Sequence, residues 1–354
     1  MDQKLYSTSV LYGVLANDEQ MRPPSNYWLS LCFPEVVQFD EEEIDFAKLG
    51  SDRKLAPLVV PTAQGVPIYS AAERVLRFRP AYVKPKDPIN ASRVIRKIAG
   101  QGELAPGAAK KSPAQRYNEL VADILRQHRF AIERRWEWLA AQAILYGRVT
   151  LKDDNYPETT VDFDRDSNHE VTLTGDQLWT DTTNSTPLAD IERWKAVVRR
   201  AFYGGPLTRI TMGGKAWEAF RAHPDVQGLL KTDYAPPQKG GLNVNLGVLE
   251  GLEVEWVGKL NGTTDVYVYS DWYTVKGAAI PFMDERDIVM TGPNVRGVRA
   301  FGAIQDINAN FQPLAMFPKM WPQEDPSATF IMTQSAPLMV PMNPNNTFRA
   351  RVVA

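Results

Sequence analysis

Asp162, Asp164 and Asp166, in the stretch DFDRDSNHE, have the alternate-residue spacing with which a calcium loop begins. Such a loop also needs glycine at its sixth position and a bidentate carboxylate at its twelfth, where this chain has Ser167 and Leu173. The three carboxylates are therefore expected to form a solvated acidic turn between two strands. TMGGKAW, residues 211–217, carries the glycine pair and lysine of a phosphate-binding loop, but Arg209 stands where the first glycine belongs and Ala216 where a hydroxyl belongs. Gly213 and Gly214 are expected to turn a strand into a helix. His128, His169 and His223 are scattered, and His128 falls on the apolar side of a long helical pattern, where a hydrogen-bonded core histidine is expected. Trp136 and Trp138, beside Arg134 and Arg135, could stack on bases. The simpler expectation is a helix packing large aromatics against a neighbour. Neither G-x-S-x-G nor G-x-G-x-x-G occurs. No catalytic residue, cofactor site or metal site is expected.

The remaining chemistry is charge. RFRPAYVKPKDPIN, residues 77–90, places Arg77, Arg79, Lys84 and Lys86 among prolines and aromatics, as an arm gripping nucleic acid or another protein would. The chain carries 40 basic and 42 acidic side chains, a net charge of -2, whereas a dedicated nucleic-acid binder needs a positive excess to displace phosphate counterions. An acidic run, Asp40, Glu41, Glu42 and Glu43, stands in the first segment of the chain. One cysteine, Cys32, excludes an intramolecular disulfide framework and suits a reducing compartment. The first residues lack a basic start followed by an apolar core, and no run reaches bilayer length. Synthesis in the cytoplasm without a membrane partner is the expectation.

The elements that must position these residues belong to an α+β chain. The first 57 residues, with little sustained periodicity, are expected to form an extended arm. Residues 58–92 are expected to make a hairpin, and Pro80, Pro85 and Pro88 restrict it to a sheet edge or a free ribbon. A glycine- and alanine-rich connector follows. Ser112, Pro113 and Gln115 then form a capping box for a helix over 113–146 that stops at Gly147. Its apolar stripe includes Tyr117, Val121, Ile124, His128, Leu139, Ala143 and Tyr146. At about 1.5 Å per residue such a rod is on the order of 50 Å long, a spine along which other elements lie. Helices are expected over 187–203 and 214–222, with strands between Leu252 and Ile304 and at the end of the chain. One of these, DVYVYSDWY at 265–273, is rich enough in aromatics to suggest a second reading, a soluble α+β enzyme or carbohydrate-binding protein.

Three stretches carry a family resemblance. RFRPAYVKPKDPIN, TGPNVRGVRAFGAIQDINANF and FPKMWPQEDPSATFIMTQSAPLMVPMNPN resemble, in that order, the major capsid proteins of lambda-like tailed phages, the gpE family. The YVKPK and QSAPLM strings are specific to it. The resemblance implies the Hong Kong 97-like capsid fold. Its parts would be an N-terminal arm (1–57), an extended loop over a neighbouring subunit (58–92), and a peripheral domain (93–180) with the spine helix 113–146. An axial domain (181–312) and a return to the peripheral domain (313–354) would complete it. It implies a non-catalytic protein that assembles with itself, as hexamers and pentamers, into the icosahedral shell of a virion. A decoration protein, a portal, a separate scaffold and packaged double-stranded DNA on the inner face are the implied partners, with assembly in the host cytoplasm. Within that frame Arg77, Arg79, Lys84 and Lys86 are expected to meet Asp40, Glu41, Glu42 and Glu43 of an adjacent subunit.

Overall fold

A computed structural model describes residues 5–16, 26–41, 44–49, 73–90, 93, 112–154, 156–202, 204–230, 243–248, 254–325 and 327–354. The elements are α1 (Thr8–Ala16), α2 (Tyr27–Cys32), β1 (Glu35–Gln38), β2 (Ile44–Leu49), β3 (Glu73–Phe78), β4 (Lys86–Asn90), α3 (Pro113–Tyr146), β5 (Arg148–Asp153), β6 (Tyr156–Asp162) and β7 (Glu170–Thr172). After them come α4 (Pro187–Arg200), β8 (Arg209–Met212), α5 (Gly214–Ala222), α6 (Pro224–Leu230), β9 (Asn243–Val248), β10 (Val254–Leu260), β11 (Thr264–Tyr269), β12 (Trp272–Val275) and β13 (Ala278–Pro281). The chain ends with β14 (Asp287–Thr291), β15 (Gly297–Phe301), β16 (Phe317–Gln323), β17 (Ala328–Gln334), β18 (Pro337–Pro341) and β19 (Thr347–Arg351).

The spine α3 begins and ends where its sequence signals lie. Ser112 Oγ accepts the Gln115 N–H at 3.2 Å and Gln115 Oε1 accepts the Ser112 N–H at 2.8 Å. At the far end Gly147 adopts the left-handed conformation, φ 65°, that closes a helix without a Cβ penalty. Arg165 completes that end: its guanidinium, almost wholly buried, donates to the carbonyls of Ile144 at 2.9 Å and Leu145 at 3.0 Å. The expected single stripe holds only in the first half, where Val121, Ile124, Leu125, His128 and Ile132 face α1 and the β16–β17–β4 sheet. From Leu139 to Leu145 the helix is enclosed on several sides, because α2, β5 and β18 all pack around it.

A seven-stranded mixed sheet, ordered β7–β19–β14–β8–β11–β10–β9, carries a second core built on Trp179, Trp194, Phe220 and Phe348. Strands β7 and β19, from segments expected in the peripheral domain, pair with each other in this sheet, and β19 also pairs with β14 of the expected axial segment. The TMGGKAW turn lies here as expected, between β8 and α5. A Cβ at Gly213 would come within 2.6 Å of the Asp284 and Glu285 carbonyl oxygens, so glycine is required by close backbone approach.

The hairpin differs from expectation. Strand β3 pairs antiparallel with β2, from Ile44↔Phe78 to Leu49↔Glu73, so one strand of the ribbon comes from the segment read as arm. Residues 50–72 lie outside the described residues. The other run of the expected hairpin, Lys86–Asn90, is the edge strand of the sheet β16–β17–β4, and Pro88 occupies a position there that needs no N–H donor. Pro80 and Pro85 interrupt the backbone between the two, and the segment is tied to the body by the Val83–Ser335 bridge, by the Thr333 N–H bond to Pro85 O at 3.1 Å and by the Tyr82 hydroxyl, which accepts the Gln305 N–H at 3.0 Å.

Candidate interaction surface

The four basic residues singled out in the sequence do not line one ribbon. Arg77 lies in β3, in register with Asp45. Arg79 is exposed at the ribbon's root. Lys84 sits over the Tyr82 ring at 4.6 Å, and Lys86, at the start of β4, sits over Phe330 at 4.1 Å and Trp321 at 5.2 Å. The prolines break the expected alternation, leaving Arg77 in β3, Lys86 in β4, and Arg79 and Lys84 in the segment between them. Asp40 and Glu41 are exposed after β1, whereas Glu42 and Glu43 lie outside the described residues. Because Ile44 pairs with Phe78, Arg79 follows β3 at the end of the ribbon where β2 begins.

The other candidate groups are structural. Asp162, Asp164 and Asp166 are exposed, and no cluster of three or more His, Cys, Asp or Glu able to hold a metal exists among the described residues. His128 lies between Asp87 Oδ2 at 3.0 Å and Thr333 Oγ1 at 3.2 Å, and its burial lowers its pKa. His169 and His223 bond the carbonyls of Thr347 and Ser185. Trp136 packs edge-on against Phe301, and Trp138 donates to the Tyr273 hydroxyl at 3.2 Å. The aromatic segment 265–273 is no ligand platform: Tyr269 is 2% exposed and stacks on Tyr27, and Tyr273 packs on Phe282.

One residue that matters escaped the sequence reading. Glu137, in the middle of α3 and wholly buried, accepts the N–H groups of Trp28 at 2.8 Å and Leu29 at 3.0 Å, the first turn of α2. At the other end of α2, Arg299 donates to Phe33 O at 2.6 Å and Leu29 O at 3.3 Å. The Glu137 oxygens satisfy first-turn N–H groups that a helix start leaves without partners, and the guanidinium at the carboxyl end matches the helix dipole. Burial pushes the Glu137 carboxyl up to about 8, against the two N–H bonds that lower it, and pushes the Cys32 thiol up to about 12. Tyr27, also on α2, reaches Thr211 of the seven-stranded sheet at 2.7 Å. Helix α2 thus joins the spine, the sheet β1–β15–β18 and the seven-stranded sheet. The available signal was a lone carboxylate between two tryptophans in an apolar run. A second buried network holds the end of the chain: Asp287, 1% exposed, accepts from Arg349 at 2.6 and 2.9 Å and from Arg351 at 2.9 Å.

Among the described residues the features that stand out are surfaces: a two-stranded ribbon, a split charge pattern, and an amino-terminal segment plugged into the body. Comparison with known proteins gives them a context. A family model described as phage major capsid protein E matches residues 11–352, including the middle of the chain where the quoted motifs do not reach. The chain is similar to the major capsid protein of Escherichia phage lambda, 28% identical over 352 residues, 96% of this chain and 97% of that one. It is 26% identical over 351 residues to the major capsid protein of Enterobacteria phage P21, with the same coverage of 96% and 97%. In structure it resembles a prophage capsid protein of Escherichia coli CFT073, with a TM-score of 0.72 at 20% identity over 99% of this chain and 100% of that chain. A subunit of the bacteriophage PhiM1 mature capsid matches with a TM-score of 0.52 at 12% identity, covering 99% and 92%.

Proposed function

Because this chain belongs to the phage major capsid protein E family, whose members are structural shell proteins of the virion and not enzymes, we propose that its ribbon and charged segments organise contacts between copies. The observation that carries this reading is the β2–β3 ribbon, which is hydrogen-bonded into no other sheet among the described residues. An isolated two-stranded ribbon is marginal in water. Laid over a neighbouring subunit, as the extended loop, it gains the packing it lacks. The loop accordingly runs from about residue 44 to 78, shorter at its end and longer at its start than the sequence suggests.

In this arrangement the arm comprises the chain before β2 and is fixed by α2. The peripheral domain is built on α3, the β5–β6 hairpin and the β16–β17–β4 sheet. The seven-stranded sheet with α4 and α5 forms the axial domain, around which subunits meet as hexamers and pentamers. Arg79 and Lys84 contribute to contacts with acidic residues of adjacent subunits, setting register more than affinity. The near-neutral net charge of -2 limits any contact with packaged double-stranded DNA on the inner face to a weak, sequence-independent one. A decoration protein, a portal and a separate scaffold complete the assembly, which takes place in the host cytoplasm.

Light scattering and negative-stain microscopy of the purified chain, alone and co-expressed with its phage neighbours, test this reading. Capsomers or closed shells are expected. A monodisperse monomer under every salt and crowding condition would overturn it.

A further inference from the structure

Strand β1 is bonded on one side only, parallel to β15, and among the described residues no strand pairs with its other edge. All four of its residues are exposed, and Val36 and Val37, which point to opposite faces of the sheet, are 54% and 36% exposed. Both ends of the strand are nevertheless anchored. Before it, Phe33 is fully buried and its carbonyl accepts from Arg299 Nε at 2.6 Å. After it, Phe39 packs on the core and its N–H donates to Phe301 O at 2.9 Å. An open edge is ordinarily guarded by lysine, proline or a bulge. β1 carries none of these: its register with β15 runs unbroken from Glu35↔Val298 to Gln38↔Phe301, and its middle is two β-branched residues.

The free edge has a fixed pattern of donors and acceptors. The N–H and C=O of one residue point to the same side of a strand, and the side alternates along the chain. Because Phe39 donates to β15, Val37 and Glu35 also face β15, and Val36 and Gln38 direct their backbone groups outward. Pro34, before them in the same alternation, has no N–H to leave unpaired. An antiparallel partner must set its outward residues opposite these. When the partner is a second β1, one register uses every outward residue of both strands: Val36 lies opposite Gln38, Gln38 opposite Val36, and Val37 opposite Val37 between them. Each of the two Val36–Gln38 pairs exchanges two backbone hydrogen bonds, and the two Val37 side chains meet on one face. Glu35, the only charge in the strand, comes to lie opposite Phe39 and far from its own counterpart, so no like charges oppose each other.

We propose that β1 pairs antiparallel with β1 of a second copy across a two-fold axis, joining two β1–β15–β18 sheets into one continuous sheet. This rests on the shell reading and names one of its contacts. An icosahedral shell has two-fold axes between neighbouring subunits, and a contact across such an axis must be made by a patch that complements itself. The edge of β1 meets that condition through its backbone pattern and through Val37.

Oxidation of assembled Val37→Cys particles tests the pairing. Opposed residues that do not bond each other stand about 4.5 Å apart at Cα, a separation that a disulfide spans, and the native Cys32 is buried. Covalent dimers and nothing larger are expected, because position 37 meets only its own counterpart. Val36→Cys, which faces Gln38, should give far less dimer. Intact Val37→Cys particles without dimers, or equal linkage from the two variants, overturn the proposal. Hydrogen exchange of the native protein, as free subunits and as particles, decides the matter if the substitution blocks assembly. The amides of Val36 and Gln38 are expected to slow by about tenfold or more on assembly, and that of Val37, already bonded to β15, to change less. Unchanged exchange at Val36 and Gln38 in intact particles overturns the proposal and leaves the shell reading standing. Slowed exchange in Val37→Cys particles that do not link gives the edge to another strand, such as a neighbour's ribbon, and overturns the proposal as well. Absence of particles from the native chain strikes the shell reading itself, and this contact with it.

Discussion

Replacing Glu137 by alanine tests how the amino-terminal segment is held. The change removes both acceptors from the first turn of α2 and leaves the Trp28 and Leu29 N–H groups facing a dry interior. Each buried donor without a partner costs about 1–3 kcal/mol, and the vacated space adds to that, so a loss of about 3–5 kcal/mol is expected. Cys32 supplies the readout. It lies on α2, is 4% exposed, and is the chain's single cysteine, so alkylation requires α2 to leave its site. At about 1.4 kcal/mol per factor of ten, 3 kcal/mol raises the open population, and with it the labelling rate under native conditions, by about a hundredfold. The pH dependence has a definite sign. Glu137 is raised from 4.5 to about 8 in the folded chain, so the folded state holds a proton that the unfolded state has released. The stability that Glu137 contributes is fully present below about 4.5, falls as pH rises, and is lost once pH passes about 8. The gap between native and Glu137→Ala proteins should therefore be wider at pH 5 than at pH 9. Equal labelling rates, or a gap that widens with pH, would refute the reasoning.

Other substitutions separate the subunit from the shell. Lys84→Glu is expected to lower shell yield while the melting temperature of the free subunit stays within about a degree, since an exposed charge contributes at most about 1 kcal/mol; Lys86→Glu, which loses contact with Phe330 and Trp321, should shift that melting as well. Joining Leu49 to Glu73 through Asn-Gly in place of residues 50–72 suits their antiparallel pairing, so circular dichroism should report a folded subunit and microscopy few or no stable shells. Arg165→Met leaves the Ile144 and Leu145 carbonyls at the end of α3 without their donors and should cost about 2–4 kcal/mol in urea unfolding, with Gly147 keeping its turn.

Local signals were legible wherever the sequence carries its own punctuation. Ser112, Gln115 and Gly147 specify α3 to the residue, because capping and left-handed closure depend on a few neighbouring atoms. The glycine pair at 213–214 and the solvated aspartates at 162–166 were readable for the same reason. Pairing over long separations was not. That β3 takes β2 as partner, and that β4 joins β16 and β17, depends on segments far apart in sequence, and the prolines that limit β4 to an edge do not say which edge. Strand β6 is less legible than its partner β5. YPETTVD is polar enough to read as loop, since its burial pattern leaves one fully buried residue, Val161, in seven. Glu137 was hidden because charge in a helical pattern normally signals the solvated face, and its partners are backbone groups of a distant segment. The charged residues 77–86 stand out by type, but their distribution over β3, β4 and the segment between them follows from tertiary structure.

Cryo-electron microscopy of purified particles at side-chain resolution tests the central claim most directly. The account predicts a closed icosahedral shell in which the β2–β3 ribbon of each subunit lies across a neighbour. Particles in which that ribbon folds back on its own subunit, or a preparation that never closes into shells, would contradict it.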